Sequence, residues 1–241
     1  LQSRATEKFG EMCDRVDMRV VKMKGGAAGG TIASMINMVK EASADAELRR
    51  ELKDPYSLCP PDHGFTARQR DVGMEYDEGF GQWIAPFVMA AINTRVVHRS
   101  NALANNAYGE DFLYEEATAT GEGTKGKRGA RAMSWGMGGL MVAMALPPVR
   151  WVLEKTVLPK PGDGPSPKEQ LEGKFDLVFL GTTPSGETIR TRVTGDRDPG
   201  YGSTAKMLSQ AAACLAKDVP GDTPGGFWTP ATLLGDKLID R

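Results

Sequence analysis

Eighteen consecutive residues, Ala132 to Val149, carry no charge, and Arg131 and Arg150 close the stretch at its two ends. In a chain with 25% charged residues, such a run is expected to leave bulk water. A helix that crosses a membrane needs about 20 predominantly apolar residues. This run is marginal in length, is interrupted by Gly136, Gly138 and Gly139, and ends in Pro147-Pro148. Three placements follow: a buried or interface helix, a contact with a lipid surface helped by the basic, glycine-rich loop at 121–129, or a true span. Met133, Met137, Met141 and Met144 would give the segment an adaptable apolar surface, for packing or for a lipid-like ligand.

The rest of the composition narrows the function. Lys plus Arg (30) nearly equals Asp plus Glu (31). Nucleic-acid binders usually carry a basic excess, so no nucleic-acid partner is expected. Cys13, Cys59 and Cys214 are far apart and form no C-x-x-C pair, which points to a reducing compartment. With only His63 and His98 beside them, no metal site is expected. The opening LQSRATEKFGEMCD has no apolar h-region, so it is not a signal peptide. The chain is expected to be intracellular, either cytoplasmic or peripherally lipid-associated, and not secreted. It begins at Leu1 and reads as the middle of a longer protein.

Patterning predicts the elements. Val16, Met18, Val20 and Met23 alternate on one side of a strand over 16–24. A glycine-rich hinge (25–30) precedes a helix over 32–52, with Asp45 starting a second segment and Asp54-Pro55 ending it. Residues 57–82 read as an irregular excursion. A helix follows over 84–104 with Pro86 in its first turn. Residues 112–120 form a strand with Phe112 and Tyr114 on one face. Two strands over 174–196 surround a turn at Pro184-Ser185-Gly186. Ala205, Leu208, Ala212 and Leu215 pack a helix that runs to Lys217, and 225–241 closes with a short helix. The order implies α+β architecture: a mixed or antiparallel sheet with helices mainly on one face.

Candidate site residues cluster on the long helix. Asn93, Val97 and Ser100 share a face. Arg95 and Arg99 form an adjacent pair able to hold a carboxylate or phosphate, or else a solvated or domain-contact face. His98 is a proton donor or an interface residue. Tyr108 and Asp111 line a pocket or serve structure. Tyr201 and Lys206 suggest a proton relay, against which Asp198 or Ser203 would simply cap the helix. Trp83, Trp135 and Trp151 read as anchors in core or interface, and Trp228 as the dock of the terminal helix.

Three stretches together carry a family resemblance. They are GGTIASM (29–35) with DPYSLCP (54–60), APFVMAAINTRVVHRSNAL (85–103) with YGEDFLYEE (108–116), and LPKPGDGPSP (158–167) followed by VTGDRDPGYGSTAKML (193–208) and GGFWTPATLLGDKLIDR (225–241). In this order and spacing they resemble the saccharopine dehydrogenase-like oxidoreductases, including the trans-acting enoyl reductases. The resemblance implies the carboxy-terminal domain of a two-domain enzyme. An amino-terminal Rossmann domain, absent here, would bind NADP. The present chain would shape a pocket for an apolar or enoyl substrate and support a homodimer. Residues 1–225 would be the substrate and dimerisation domain, and 226–241 a helix packing on the absent domain.

The sequence lacks a dinucleotide fingerprint. GGAAGG (25–30) follows a strand and precedes a helix, which puts Gly29, Gly30 and Thr31 where a phosphate loop would be. It does not fit G-x-G-x-x-G, and the strand before it is half charged, so a hinge is the alternative. By itself the chain is not expected to transfer hydride. The competing reading is a non-catalytic dimerisation or lipid-surface module.

Overall fold

The structure, a computed structural model, describes residues 1–25, 29–156, 158–159 and 162–241. The chain is an α+β domain built on a six-stranded mixed sheet. Its strands are β1 (Arg15–Lys24), β2 (Glu75–Asp77), β3 (Gln82–Pro86), β4 (Leu113–Gly121), β5 (Lys174–Thr182) and β6 (Thr188–Gly195), in the order β2-β3-β4-β1-β5-β6. Among the described residues only β1 and β4 pair in parallel, Val16 lying beside Tyr114 and Met18 beside Glu116. The chain between them supplies the long connection that parallel strands require.

The alternation in β1 does what its pattern predicts. Val16, Met18 and Val20 are buried with Phe112, Tyr114, Ala5 and Cys13 in one apolar cluster. Each fully buried aliphatic side chain contributes about 1.5–3 kcal/mol. A register shift between Val20 and Lys22 against β5 keeps Met23 in phase with that side, opposite Phe175. Two helices lie over the cluster: α1 (Gln2–Phe9) through Ala5 and Phe9, and α4 (Ala90–Leu103) through Val97.

The opposite side of the same strands is also buried, but charged. Arg19 donates to Asp77 at 2.5 Å and to Glu115 at 2.6 Å. The β2–β3 turn folds over this side, and the Phe80 ring lies 5.1 Å from both the Arg19 and Arg190 guanidinium carbons. From Val16 to Val20, β1 is therefore covered on both faces, by apolar packing on one and by an ion network on the other, while Val21–Lys24 are exposed.

Asp45 separates α2 (Gly29–Ala44) from α3 (Ala46–Glu51). Its carboxylate accepts from the amides of Glu47 and Leu48, as an N-cap should. Three other expectations need correction. Residues 84–86 are strand, with Ile84 and Ala85 fully buried, so the long helix starts at Ala90. The basic stretch 121–129 is no loop, because α5 (Gly123–Ala145) begins inside it. Gly126 makes this possible: a side chain there would sit 2.0 Å from the Gly121 carbonyl oxygen. The uncharged run spans the end of α5 and the start of α6 (Pro147–Thr156), the two helices being bent by 108°. Among the described residues no single helix is long and apolar enough to cross a membrane.

After the short α7 (Pro167–Glu172) and the β5–β6 hairpin comes α8 (Gly202–Lys217). It turns its predicted packing stripe outward: Leu208 is 69% exposed, and Ala205, Ala212 and Leu215 are exposed too. The end of the chain forms two single turns, α9 (Pro230–Leu233) and α10 (Asp236–Ile239), lying against α4 and α8 respectively. Buried Thr229 anchors them through the Ser100 hydroxyl at 2.8 Å.

Candidate functional site

β3 stops at Pro86, opposite Ala117, so residues 113–116 of β4 have no strand neighbour on that edge. Gln69, from the excursion between α3 and β2, occupies part of the gap. Its side-chain oxygen accepts from the Tyr114 amide at 3.2 Å, and its amide nitrogen donates to the Phe112 carbonyl at 2.9 Å. Beside it a cleft of about 540 Å³ remains, bounded by Leu52–Pro55, Gln69–Val72, the first turns of α4 and the β4 edge.

A hydrogen-bonded trio lies at this cleft. The Tyr114 hydroxyl donates to one Glu116 oxygen at 2.9 Å, and the Asn93 amide donates to the other at 2.9 Å. Both Tyr114 and Glu116 are buried. Burial raises the Glu116 carboxyl above its ordinary value, and the bonds from Asn93 and Tyr114 pull part of the way back. Burial, then the charge of Glu116, holds the Tyr114 phenol well above its usual range, so it stays a donor. Tyr114 also lines a second cleft of about 480 Å³ on the apolar side of the sheet, with Val16, Val97, Tyr108, Phe112 and Phe179. One side chain thus connects an apolar compartment to a polar one that holds a proton-binding carboxyl.

Over 96% of its length the chain is 37% identical to a protein of Mycobacterium tuberculosis H37Rv named, provisionally, as a trans-acting enoyl reductase. It is 34% identical, over the same share, to the trans-acting enoyl reductase of Mycobacterium bovis BCG Pasteur. Over 89% of its length it is 34% identical to that of Mycobacterium ulcerans Agy99. The chain is related to the trans-acting enoyl reductases. It spans 58% of the length of the first two relatives and 54% of the third. No family model matches it, and no solved structure does.

In this relative of the trans-acting enoyl reductases, the residues singled out from sequence do not converge on one point. Asn93 bonds Glu116, Val97 enters the core and Ser100 is buried, as their shared face requires, while Arg95 lines the cleft. The arginine pair is spent on backbone. Arg95 donates to the carbonyls of Leu52 and Asp54, which pins the end of α3, and Arg99 donates to those of Leu58 and Phe227. Neither guanidinium is arranged around an anion. His98 is a core residue, 1% exposed among Tyr56, Phe65 and Phe112, with Nε2 unpartnered. Burial pushes its imidazole down to about 4, which favours the neutral form near pH 7. Tyr108 lines the apolar cleft.

Tyr201 belongs to a different neighbourhood. Its exposed ring packs on Gly164, and Lys206 pairs instead with Asp196 at 2.9 Å. Asp198 caps α8, accepting from the amides of Tyr201 and Gly202 at 2.8 Å each. Trp135 and Trp151 are 77% and 57% exposed, so neither is a core anchor.

At the start of α2 the Gly29 amide donates to the Asp163 carbonyl at 2.9 Å. Residues 26–28 of the glycine-rich stretch lie outside the described residues. Among the described residues no group of three or more His, Cys, Asp or Glu is placed to hold a metal ion.

Glu116 was missed from sequence, yet a signal was present. Glu115-Glu116 are adjacent within a strand, and neighbouring strand residues face opposite sides. One of the two carboxylates was bound to be on the core face.

Proposed function

We propose that this chain is the substrate-handling part of an enoyl-reducing oxidoreductase of the saccharopine dehydrogenase-like kind, drawing on NADP(H) held by a dinucleotide-binding part outside the chain. The observation that carries the reading is the similarity over 96% of the chain to proteins named trans-acting enoyl reductase. The geometry supports it. Saturating a carbon–carbon double bond beside a carbonyl takes a hydride at one carbon and a proton at the other. The apolar cleft suits an acyl chain, and Tyr114 stands where that cleft meets the polar one. Its hydroxyl is the proton source, reloaded through Glu116, and Asn93 holds the carboxyl in line.

Two measurements test the reading. NADPH binding is compared between this chain and the longer natural protein extended at its amino end. Binding by the longer protein alone supports the proposal. Binding by neither overturns it in favour of a non-catalytic module, and binding by both would place the nucleotide at the glycine-rich stretch 25–30. In the longer protein, Tyr114→Phe lowers kcat by about a hundredfold, the lower end of what a positioned general acid contributes, and Glu116→Gln alters the pH profile. Unchanged rates in both variants would remove the pair from the chemistry. The same reading expects a homodimer, which a mass measurement in solution checks.

A further inference from the structure

Apart from buried Met144, the uncharged run is largely exposed, and among the described residues no single helix of it is long and apolar enough to span a membrane. Trp135 is 77% exposed, Val142 62% and Trp151 57%, and Leu140, Leu146, Val149 and Val152 are exposed beside them. Large apolar residues left in water along two successive helices mark an interaction surface. The exposed part of α5, at about 1.5 Å per residue over Ala132–Ala145, is shorter than the roughly 30 Å hydrocarbon core, and the 108° bend at Leu146 turns the chain aside.

The charge around the surface is one-sided. From Gly123 to Leu153 the charged residues are Lys125, Lys127, Arg128, Arg131 and Arg150, all cationic; α6 then adds Lys155 and Glu154, the latter paired with Lys40 at 3.4 Å, in a chain whose net charge is −1. Two copies meeting through this face would set five cations against five. We infer that α5 and α6 form a monotopic attachment to an anionic lipid surface. Trp135, Val142 and Trp151 enter the headgroup–acyl boundary, and the flanking lysines and arginines meet lipid phosphates. Tryptophan suits that depth because its ring is apolar and its N–H finds a polar partner. The consequence for the proposed reaction is that the apolar acyl cleft operates beside a membrane, but the attachment does not depend on that reaction.

The test is co-sedimentation of the chain with vesicles of phosphatidylglycerol and phosphatidylcholine in equal parts, and with phosphatidylcholine alone. Binding to the anionic vesicles is expected, weakened when salt rises from about 50 to about 500 mM, where screening shortens to a few ångströms. Trp135→Ser with Trp151→Ser, and separately Arg128→Glu with Arg131→Glu, each reduce partitioning about tenfold or more. These side chains are exposed, so both variants keep the wild-type circular dichroism and melting curve. The inference is overturned if wild type ignores anionic vesicles, or if both variants bind as wild type does. It is also overturned if wild type is a dimer that these variants split without any vesicle binding, which would give the face to a second copy.

Discussion

Two buried ionisable residues pull stability in opposite directions with pH. His98 has a depressed pKa, so the stability of its neutral form is complete above its ordinary value and is lost as pH falls from about 6.5 through 4. A shift of that size corresponds to about 3 kcal/mol once the group is protonated. Glu116 has a raised pKa, so its contribution is present at low pH and is lost as pH rises past the ordinary carboxylate range. His98→Leu should therefore flatten the acid limb of a plot of urea midpoint against pH. Glu116→Gln, which mimics the neutral carboxyl, should be at least as stable as wild type at pH 8 and lose that advantage at pH 4. Identical curves for wild type and variants would refute both assignments. The burial of His98 was hidden from sequence because the apolar stripe that spacing predicts on this helix (Met89, Ile92, Val96, Leu103) is not the face that packs: Ile92 and Val96 are 47% and 36% exposed. Its contact is with Tyr56 and Phe65, in an excursion that no periodicity describes. The arginines failed as anion ligands for a related reason: carbonyls at the end of α3 and in the excursion claim them first.

Element positions were legible wherever a local rule governed them. The Asp45 cap, the β1 alternation and the β5–β6 turn at Gly186 follow from capping, side-chain period and positive φ. Boundaries decided by tertiary contact were not legible. Pro86 looked like a helix opener, yet it ends an internal strand next to β4, and Gly126 lets a basic glycine-rich stretch wind into a helix against Gly121. The glycines of α5 should therefore separate into two classes in denaturation measurements. Gly126→Ala meets backbone at 2.0 Å and should cost about 1–3 kcal/mol through overpacking. Gly138→Ala meets nothing within 4 Å and should stabilise by up to about 1 kcal/mol through helix propensity. Equal effects at the two positions would contradict the packing of α5 on β4.

Across the whole molecule, distant segments are held by a few buried polar contacts. Thr229 joins the end of the chain to the last turn of α4 through Ser100. Thr229→Val should cost about 1 kcal/mol and raise amide exchange over 229–241 while leaving β1 and β4 protected; uniform protection would show that the anchor is elsewhere. The sheet order could not be read from sequence, because strand patterns report which face is buried and not which strand is the neighbour. That order has a consequence for biosynthesis. β1 leaves the ribosome first but sits near the middle of the finished sheet, with Arg15 paired to Leu113 on one side and to Thr182 on the other. Until residue 182 has been made, one flank of a strand carrying Val16, Met18 and Val20 has no native mate, and loop closure that long is slow. Between the synthesis of β1 and that of β5, a nascent chain of this design exposes a sticky edge, so its yield in a cell should depend on chaperone capture more than on the stability of the finished fold.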